Sequence, residues 1–318
     1  MLLPKPFWAG TRRSLQALRD PYVPILAHLV TTRRCNLACA YCNEFDHASA
    51  PIPTEILCQR LDHLAALGTV VVTLTGGEPL LQPQLDEVIA HAVRRGIVCT
   101  TITNGYPLTR SWVERLNKSG LTMLQISIDN LEPNETSQKS WSRLRSRLEL
   151  LRDHARFGVN VNAVLGSCPL EETRHVVEEV RAMGFYMTIG LLHDHEGQLD
   201  GSPRRGGMAA FYEEMHGKVN RSLFHRVGQG WEQQMLRDGY AEWKCRAGGR
   251  YLYIGESGVV SYCSQRRGEP GIPLLEYTRA DIEREFHTSK DCAPRCTIGC
   301  VRRVSALDQR RAQAARGS

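Results

Sequence analysis

A chain of 318 residues, 42% hydrophobic and 23% charged, is an ordinary globular mixture, long enough for one large domain or a large and a small one. The net charge of +6 is modest and concentrated at the ends, in Arg12, Arg13 and Arg19 and in Arg302, Arg303, Arg310, Arg311 and Arg316. This reads as solvated surface, with a phosphate-bearing or anionic-membrane partner as the alternative and no nucleic acid expected. The longest apolar stretches, such as Val70–Val72 and Ile189–Leu192, are strand-sized, so no integral membrane segment is expected.

The chain opens MLLPKPFWAG, which has no apolar run of signal-peptide kind, and the default location is cytoplasmic. Trp8, Leu15 and Leu18 with interspersed arginines suggest an amphipathic helix that packs on the body of the protein rather than on a membrane. Six β-branched, apolar segments follow in turn: Ile25–Thr31, Val70–Thr75, Ile97–Thr103, Leu121–Ile128, Val159–Leu165 and Phe185–Leu192. Each precedes a helical pattern, which predicts βαβ units and a parallel sheet. Ile56, Leu57, Leu61, Leu64 and Leu67 share one helix face that ends at Gly68; Leu85, Val88, Ile89 and Val93 share another that ends at Gly96. Val176, Val177 and Val180 belong to a third, stopped by Gly184, and glycine just past a helix is the expected left-handed cap. Six units are fewer than the eight of a closed barrel, so the expected fold is α/β, a partial (β/α)6 TIM-like barrel with a small cysteine-rich C-terminal domain. Gly197–Gly207 reads as a loop and about 209–227 as a helix. From Glu242 the texture changes to short strands, Tyr251–Ile254 and Val259–Tyr262, with turn glycines and five cysteines. This is too little apolar sequence for an independent core, and a metal centre would hold it together. The expected division is 1–24 as N-terminal extension, 25–195 as core barrel, 196–241 as linker and helix, and 242–318 as the cysteine-rich domain.

Eleven cysteines in a reducing compartment point to metal or redox chemistry rather than disulfides. Cys35, Cys39 and Cys42, in CNLACAYC directly after the first strand, place three soft sulfurs on one short loop. Three thiolates suit an iron–sulfur cube with one open iron, or a zinc ion awaiting a distant fourth ligand. TGGEP, Thr75–Pro79, follows the second strand; its glycines permit close backbone approach to a ligand, and Glu78 with nearby carbonyls could accept from an ammonium group. Both motifs sit at the C-terminal ends of adjacent parallel strands, where α/β folds build their sites.

On these residues, together with TNG at Thr103–Gly105 and SID at Ser127–Asp129, the chain resembles the radical S-adenosylmethionine (SAM) superfamily over about residues 25–195. The resemblance implies a [4Fe–4S] cluster on Cys35, Cys39 and Cys42, with Tyr41 near the adenine of SAM. It places Gly76, Gly77, Glu78 and Pro79 at the methionine amino group, Asn104 in the cofactor site, and Ser127 and Asp129 at the ribose or carboxylate. A basic residue on the SAM carboxylate is also implied; Lys139 is the candidate, with Arg143 close behind.

Cys245, Cys263, Cys292, Cys296 and Cys300 resemble the start of the SPASM/twitch extension, although the C-x3-C-x3-C spacing departs from its pattern. The resemblance implies one auxiliary [4Fe–4S] cluster, held by Cys245, Cys263 and two of the last three, leaving one cysteine spare. Structural zinc is the alternative. Cys58 and Cys99 read as buried and inert, and Cys168 as a candidate hydrogen-atom donor at the rim of the site. LLHDHEG at 191–197 offers one of His193, Asp194, His195 and Glu196 toward a substrate, with His195 the candidate, rather than a metal site, because neighbours on a strand face opposite ways.

The implied reaction is reductive cleavage of SAM to a 5′-deoxyadenosyl radical, which takes a hydrogen atom from the substrate, with a flavodoxin- or ferredoxin-like electron donor. Only about two dozen residues precede the first strand, which favours a small-molecule or lipid substrate over a ribosomal peptide. A non-catalytic electron carrier or zinc protein is the alternative of another class; it leaves GGEP and the barrel unused.

Overall fold

The computed structural model describes residues 9–194, 197–199, 207–219 and 229–314. After helix α1 (Ala9–Arg19), six strands alternate with five helices: β1 (Leu26–Thr32), α2 (Thr54–Ala66), β2 (Val71–Gly76), α3 (Leu85–Arg94), β3 (Val98–Thr103), α4 (Arg110–Ser119), β4 (Met123–Ser127), α5 (Trp141–His154), β5 (Gly158–Leu165), α6 (Leu170–Ala182) and β6 (Tyr186–Leu191). Every strand falls within two residues of its expected position. The helices stop where the glycines require, with Gly68, Gly96 and Gly184 at φ of +85°, +75° and +85°.

The six strands pair in order and all in parallel. Apolar residues at alternate positions, among them Leu29, Leu74, Leu124 and Val161, are fully buried on the face that the crossover helices cover. The opposite face carries His28, Thr73, Thr100, Gln125, Asn160, Asn162 and Thr188.

The helix expected at 209–227 is present in its first part as α7 (Met208–Val219); residues 220–228 lie outside the described residues, and α8 (Gln229–Asp238) follows. β7 (Tyr251–Ile254) then pairs in parallel with the outer edge of β1, and β8 (Val259–Cys263) and β9 (Arg266–Pro273) add in antiparallel fashion. The result is one mixed nine-stranded sheet, ordered β6-β5-β4-β3-β2-β1-β7-β8-β9 and flanked by helices, consistent with a partial TIM-like barrel. The cysteine-rich region needs no core of its own, because Tyr251, Leu252, Ile254 and Val260 bury in the same apolar cluster as Leu29 and Val72. It is completed by α9 (Arg279–His287), whose Thr278–Asp281 capping box satisfies its first turn, and α10 (Gly299–Ala314).

α1 packs on the body as expected but on a different face. Leu15 and Leu18 are 50% and 58% exposed, whereas Ala17 is buried. Charge sets this orientation: the Arg13 guanidinium donates to the carbonyls of Ala65 and Arg95, at 2.9 Å each, where α2 and α3 end. Trp8 lies outside the described residues. Among the described residues no helix is long and apolar enough to cross a membrane.

Candidate active site

At the C-terminal ends of β1–β4 one cleft is lined by Cys35, Cys39, Tyr41, Cys42, Gly76, Gly77, Asn104, Ser127, Lys139 and His193. The cleft exists because two loops are stitched together. The Gly77 N–H donates to Thr32 O (2.8 Å) and the Glu78 N–H to Arg34 O (2.9 Å), joining the GGEP turn to the cysteine loop. A Cβ on Gly76 would lie 2.0 Å from Thr32 O, and one on Gly77 2.3 Å from Arg33 O. The glycines therefore admit the backbone of the cysteine loop itself, a nearer constraint than the ligand approach expected of them.

Glu78 is fully buried, and its carboxylate accepts from Thr103 Oγ1 (2.6 Å), Asn104 N–H (2.7 Å) and Leu80 N–H (2.9 Å). Burial pushes this carboxyl up to about 7, against those three donors. Glu78 thus ties the TNG loop to the GGEP turn, and Pro79 starts the short buried turn that follows. Asn104 extends the tie by donating through Nδ2 to Asn36 Oδ1 (2.8 Å), with Cys35 Sγ also in reach at 3.6 Å.

Asp129 is a hub rather than a wall of the cleft. It is fully buried and accepts from Tyr41 O–H (2.8 Å), Ser137 O–H (2.6 Å) and Val164 N–H (3.1 Å), with Lys139 Nζ 3.2 Å away. Lys139 also donates to the Tyr41 hydroxyl. Burial opposes the Lys139 charge, but the Asp129 carboxylate together with Tyr41 and Cys39 outweighs it and holds the ammonium well above its usual range. Lys139 and Ser127 reach the cleft; Arg143 is exposed on α5 and lines no part of it. Cys168 does not line the cleft either. It is buried behind Asp129, with Sγ 3.3 Å from Asp129 O and from Thr173 Oγ1. His195 lies outside the described residues; His193 lines the cleft.

Among the described residues no three His, Cys, Asp or Glu side chains stand close enough, as placed, to grip a metal ion. The donor set fits an iron–sulfur cluster nonetheless. Three thiols line one cleft, and the Leu37 N–H (3.4 Å) and Asn104 amide already point at Cys35 Sγ, as they would at a ligating sulfur. Burial pushes the Cys35 thiol up to about 11 and raises that of Cys42, so cationic iron is what would hold them as thiolates.

Of the C-terminal cysteines, Cys245, Cys263, Cys292 and Cys296 neighbour one another. Cys300 couples to Cys263 and hydrogen-bonds Tyr251. Sequence reading missed the residues that bring the C-terminal region to the cleft: Ser264 and Gln265, just past Cys263, line it beside Glu44, and Asn43 Nδ2 donates to Gln265 Oε1 at 2.7 Å. No local pattern signals this contact, which spans 222 residues.

The radical SAM superfamily pattern matches residues 29–194. The chain is 30% identical over 173 residues to a PqqA peptide cyclase of Granulibacter bethesdensis, covering 52% of this chain and 46% of that protein. It is 24% identical over 321 residues to an AdoMet-dependent heme synthase of Methanosarcina barkeri, covering 90% of this chain and 91% of that one. The crystal structure of Streptococcus suis SuiB bound to precursor peptide SuiA shares the fold, with a TM-score of 0.64 at 15% identity over 87% of this chain and 70% of SuiB. The chain spans about half the length of the peptide cyclase it matches. The chain belongs to the radical SAM superfamily.

Proposed function

We propose that this chain is a SAM-dependent radical enzyme that modifies a peptide by hydrogen-atom abstraction. The observation that carries the reading is the single cleft in which Cys35, Cys39 and Cys42 meet Tyr41, Gly76, Gly77, Asn104, Ser127 and Lys139. A reduced [4Fe–4S] cluster on the three cysteines would supply the electron that cleaves SAM to methionine and a 5′-deoxyadenosyl radical. The chain's own residues position. Tyr41 is held by Asp129, Lys139 offers the SAM carboxylate a cation, and Glu78 fixes the two loops that form the rim. Residues 25–195 would serve as the core, 196–241 as connection, 242–318 as the auxiliary-cluster region and 1–24 as an extension. Cys245, Cys263, Cys292 and Cys296 would hold one auxiliary [4Fe–4S] cluster, leaving Cys300 as the spare. A flavodoxin- or ferredoxin-like donor would supply electrons.

Likeness to a PqqA peptide cyclase and to SuiB, solved with a precursor peptide, favours a peptide over the small-molecule or lipid substrate that the short N-terminal segment suggested. A small molecule stays as the second reading, because the match to the heme synthase runs nearly the whole length of both chains. The test is anaerobic reconstitution with iron and sulfide, then dithionite and SAM. 5′-Deoxyadenosine is expected, and its absence from protein with a full first cluster would sink the reading. Deuterium transferred into 5′-deoxyadenosine from a labelled peptide or a labelled small molecule decides between the two.

Two variants test the assignments. Cys292→Ser is expected to drop iron from about eight to about four per chain, while Cys300→Ser keeps about eight; equal iron in both removes the four-and-one grouping. Lys139→Met leaves Asp129 its three hydrogen-bond donors, so the fold should survive. SAM affinity by calorimetry should fall by about 10–100-fold, the worth of a hydrogen bond to a charged group, and unchanged affinity would remove Lys139 from the site.

A further inference from the structure

Basic residues gather at both ends of the sequence, and neither the SAM cleft nor the proposed function uses them. We infer that the outward face of α1 is a docking surface for an anionic lipid bilayer, with Arg12 and Arg19 at the headgroups and Leu15 and Leu18 in the acyl boundary.

α1 is fixed to the body by its other face. Ala17 is buried, a Cβ on Gly10 would lie 2.7 Å from Val98 Cγ2, and Arg13 donates to the carbonyls of Ala65 and Arg95. Residues three, four and seven apart share one side of a helix, so this anchoring turns Arg12, Leu15, Leu18 and Arg19 outward together, and all four are exposed. A leucine exposed singly needs no explanation. Here two stand three residues apart, at 50% and 58% exposure, with an arginine to either side of them along the helix. Arg12 and Arg19 have no ion-pair partner among the described residues. Arg13 adds to the field, because carbonyls satisfy its donors without cancelling its charge. A groove of about 430 Å3 between α1 and α9, lined by Arg12, Arg13, Gln16, Tyr22 and Arg279, gives a phosphate headgroup room beside this face.

The C-terminal arginines join them. Arg250 pairs with Asp308 and donates to the Ala17 carbonyl at 2.9 Å, so α10 passes α1 at Asp308 and runs on to Ala314 with Arg310 and Arg311 in its next turn. Two basic segments from opposite ends of the chain thus come together. A nucleic acid would answer the arginines and leave the leucines in water. A bilayer answers both: anionic headgroups attract the guanidinium groups within a Debye length, and leucine side chains reach the acyl boundary just below. Residues 1–8, directly before α1 in the sequence, continue the same mixture with Leu2, Leu3, Lys5, Phe7 and Trp8. The surface also lies away from the reaction. Arg13 reaches the carbonyls where α2 and α3 end, which is where the strands begin, whereas the SAM cleft lies where the strands end. A bilayer therefore holds the enzyme by its base and leaves the cleft open.

The test is co-sedimentation of the reconstituted full chain with vesicles of phosphatidylcholine, either alone or mixed with phosphatidylglycerol. Binding to the mixed vesicles should be at least about tenfold tighter than to the neutral ones at about 0.1 M salt, and lost at about 1 M. Arg12→Gln with Arg19→Gln should weaken it about 30-fold, the worth of two arginines near an anionic surface. Leu15→Ser with Leu18→Ser should weaken it about tenfold. All four side chains point outward, so both variants should keep the wild-type urea midpoint, and the lipid and salt dependence of the unaltered protein stands even where a variant fails to fold. No binding to the mixed vesicles, equal binding to the neutral ones, or binding that the leucine pair leaves unchanged overturns the inference. Duplex RNA bound more tightly than the mixed vesicles overturns it in favour of a nucleic acid. A dimer in light scattering that the leucine pair converts to monomer overturns it in favour of a second copy. Because the vesicle assay needs no SAM, its failure leaves the proposed function standing, and absent 5′-deoxyadenosine leaves the docking surface standing.

Discussion

Replacing Gly77 with alanine is expected to lower 5′-deoxyadenosine formation by about 100-fold, the cost of misplacing reacting groups by about 1 Å. The added Cβ would stand 2.3 Å from Arg33 O and 2.4 Å from Arg34 O. Both are backbone atoms, so no side chain can swing aside. The cysteine loop and the GGEP turn must separate, breaking the Gly77-to-Thr32 and Glu78-to-Arg34 hydrogen bonds together. Cys35 is anchored just beyond, with its N–H donating to Asp46 O, so the displacement reaches the cluster ligands and iron content should fall as well. Gly184→Ala is the control. Its φ of +85° predicts a cost of about 1–2 kcal/mol in stability, but a Cβ there meets nothing within 4 Å, and turnover should hold. Turnover within about threefold of wild type in Gly77→Ala would show that the two loops are not rigidly coupled.

The same pair of glycines shows how far the sequence could be read. GGEP after a strand is legible as a site because glycine runs at strand ends permit close approach, but which backbone approaches is a tertiary fact. Strand positions were legible for a simple reason: β-branched runs bounded by capping glycines leave little freedom. The face of α1 was not, since Leu15 and Leu18 suggested an apolar stripe while Arg13, through carbonyls at the ends of two distant helices, decides the orientation. Asp129 looked like a ligand contact because it ends the fourth strand; burial turned it into the support of Tyr41 and Lys139. One signal was present and unread. A parallel strand buried on both faces should be almost wholly apolar. Leu26–Thr32, Val71–Gly76 and Gly158–Leu165 instead interleave His28, Thr73, Asn160 and Asn162 with apolar residues. That alternation is the sequence signature of a polar inner face.

The second large effect concerns Arg250, through which the C-terminal region is fastened to the rest. Its buried guanidinium pairs with Asp308 at 2.8 and 3.0 Å and donates to the carbonyls of Ala17, Asp20 and Val23. Its own carbonyl accepts from the Ile25 and Leu26 N–H groups at the start of β1. One residue thus holds α1, β1, β7 and α10 in register. Asp308→Ala leaves a buried cation with backbone carbonyls alone and is expected to cost about 3–5 kcal/mol, seen as a lower midpoint in urea unfolding. Arg250→Met takes from Asp308 its bidentate partner but leaves it the nearby charge of Arg246, and is also expected to destabilise, by less than about 3–5 kcal/mol. The double variant, Arg250→Met with Asp308→Leu, removes both charges and should be more stable than either single, which is the signature of a penalty arising from the unpaired ion. A double variant whose loss equals the sum of the two singles would show that the packing of the two side chains, rather than their pairing, fastens this corner. Because β7 is a member of the same sheet as β1, the loss should appear in one cooperative transition that takes the SAM cleft with it. Two separate transitions would mean that the cysteine-rich region unfolds on its own.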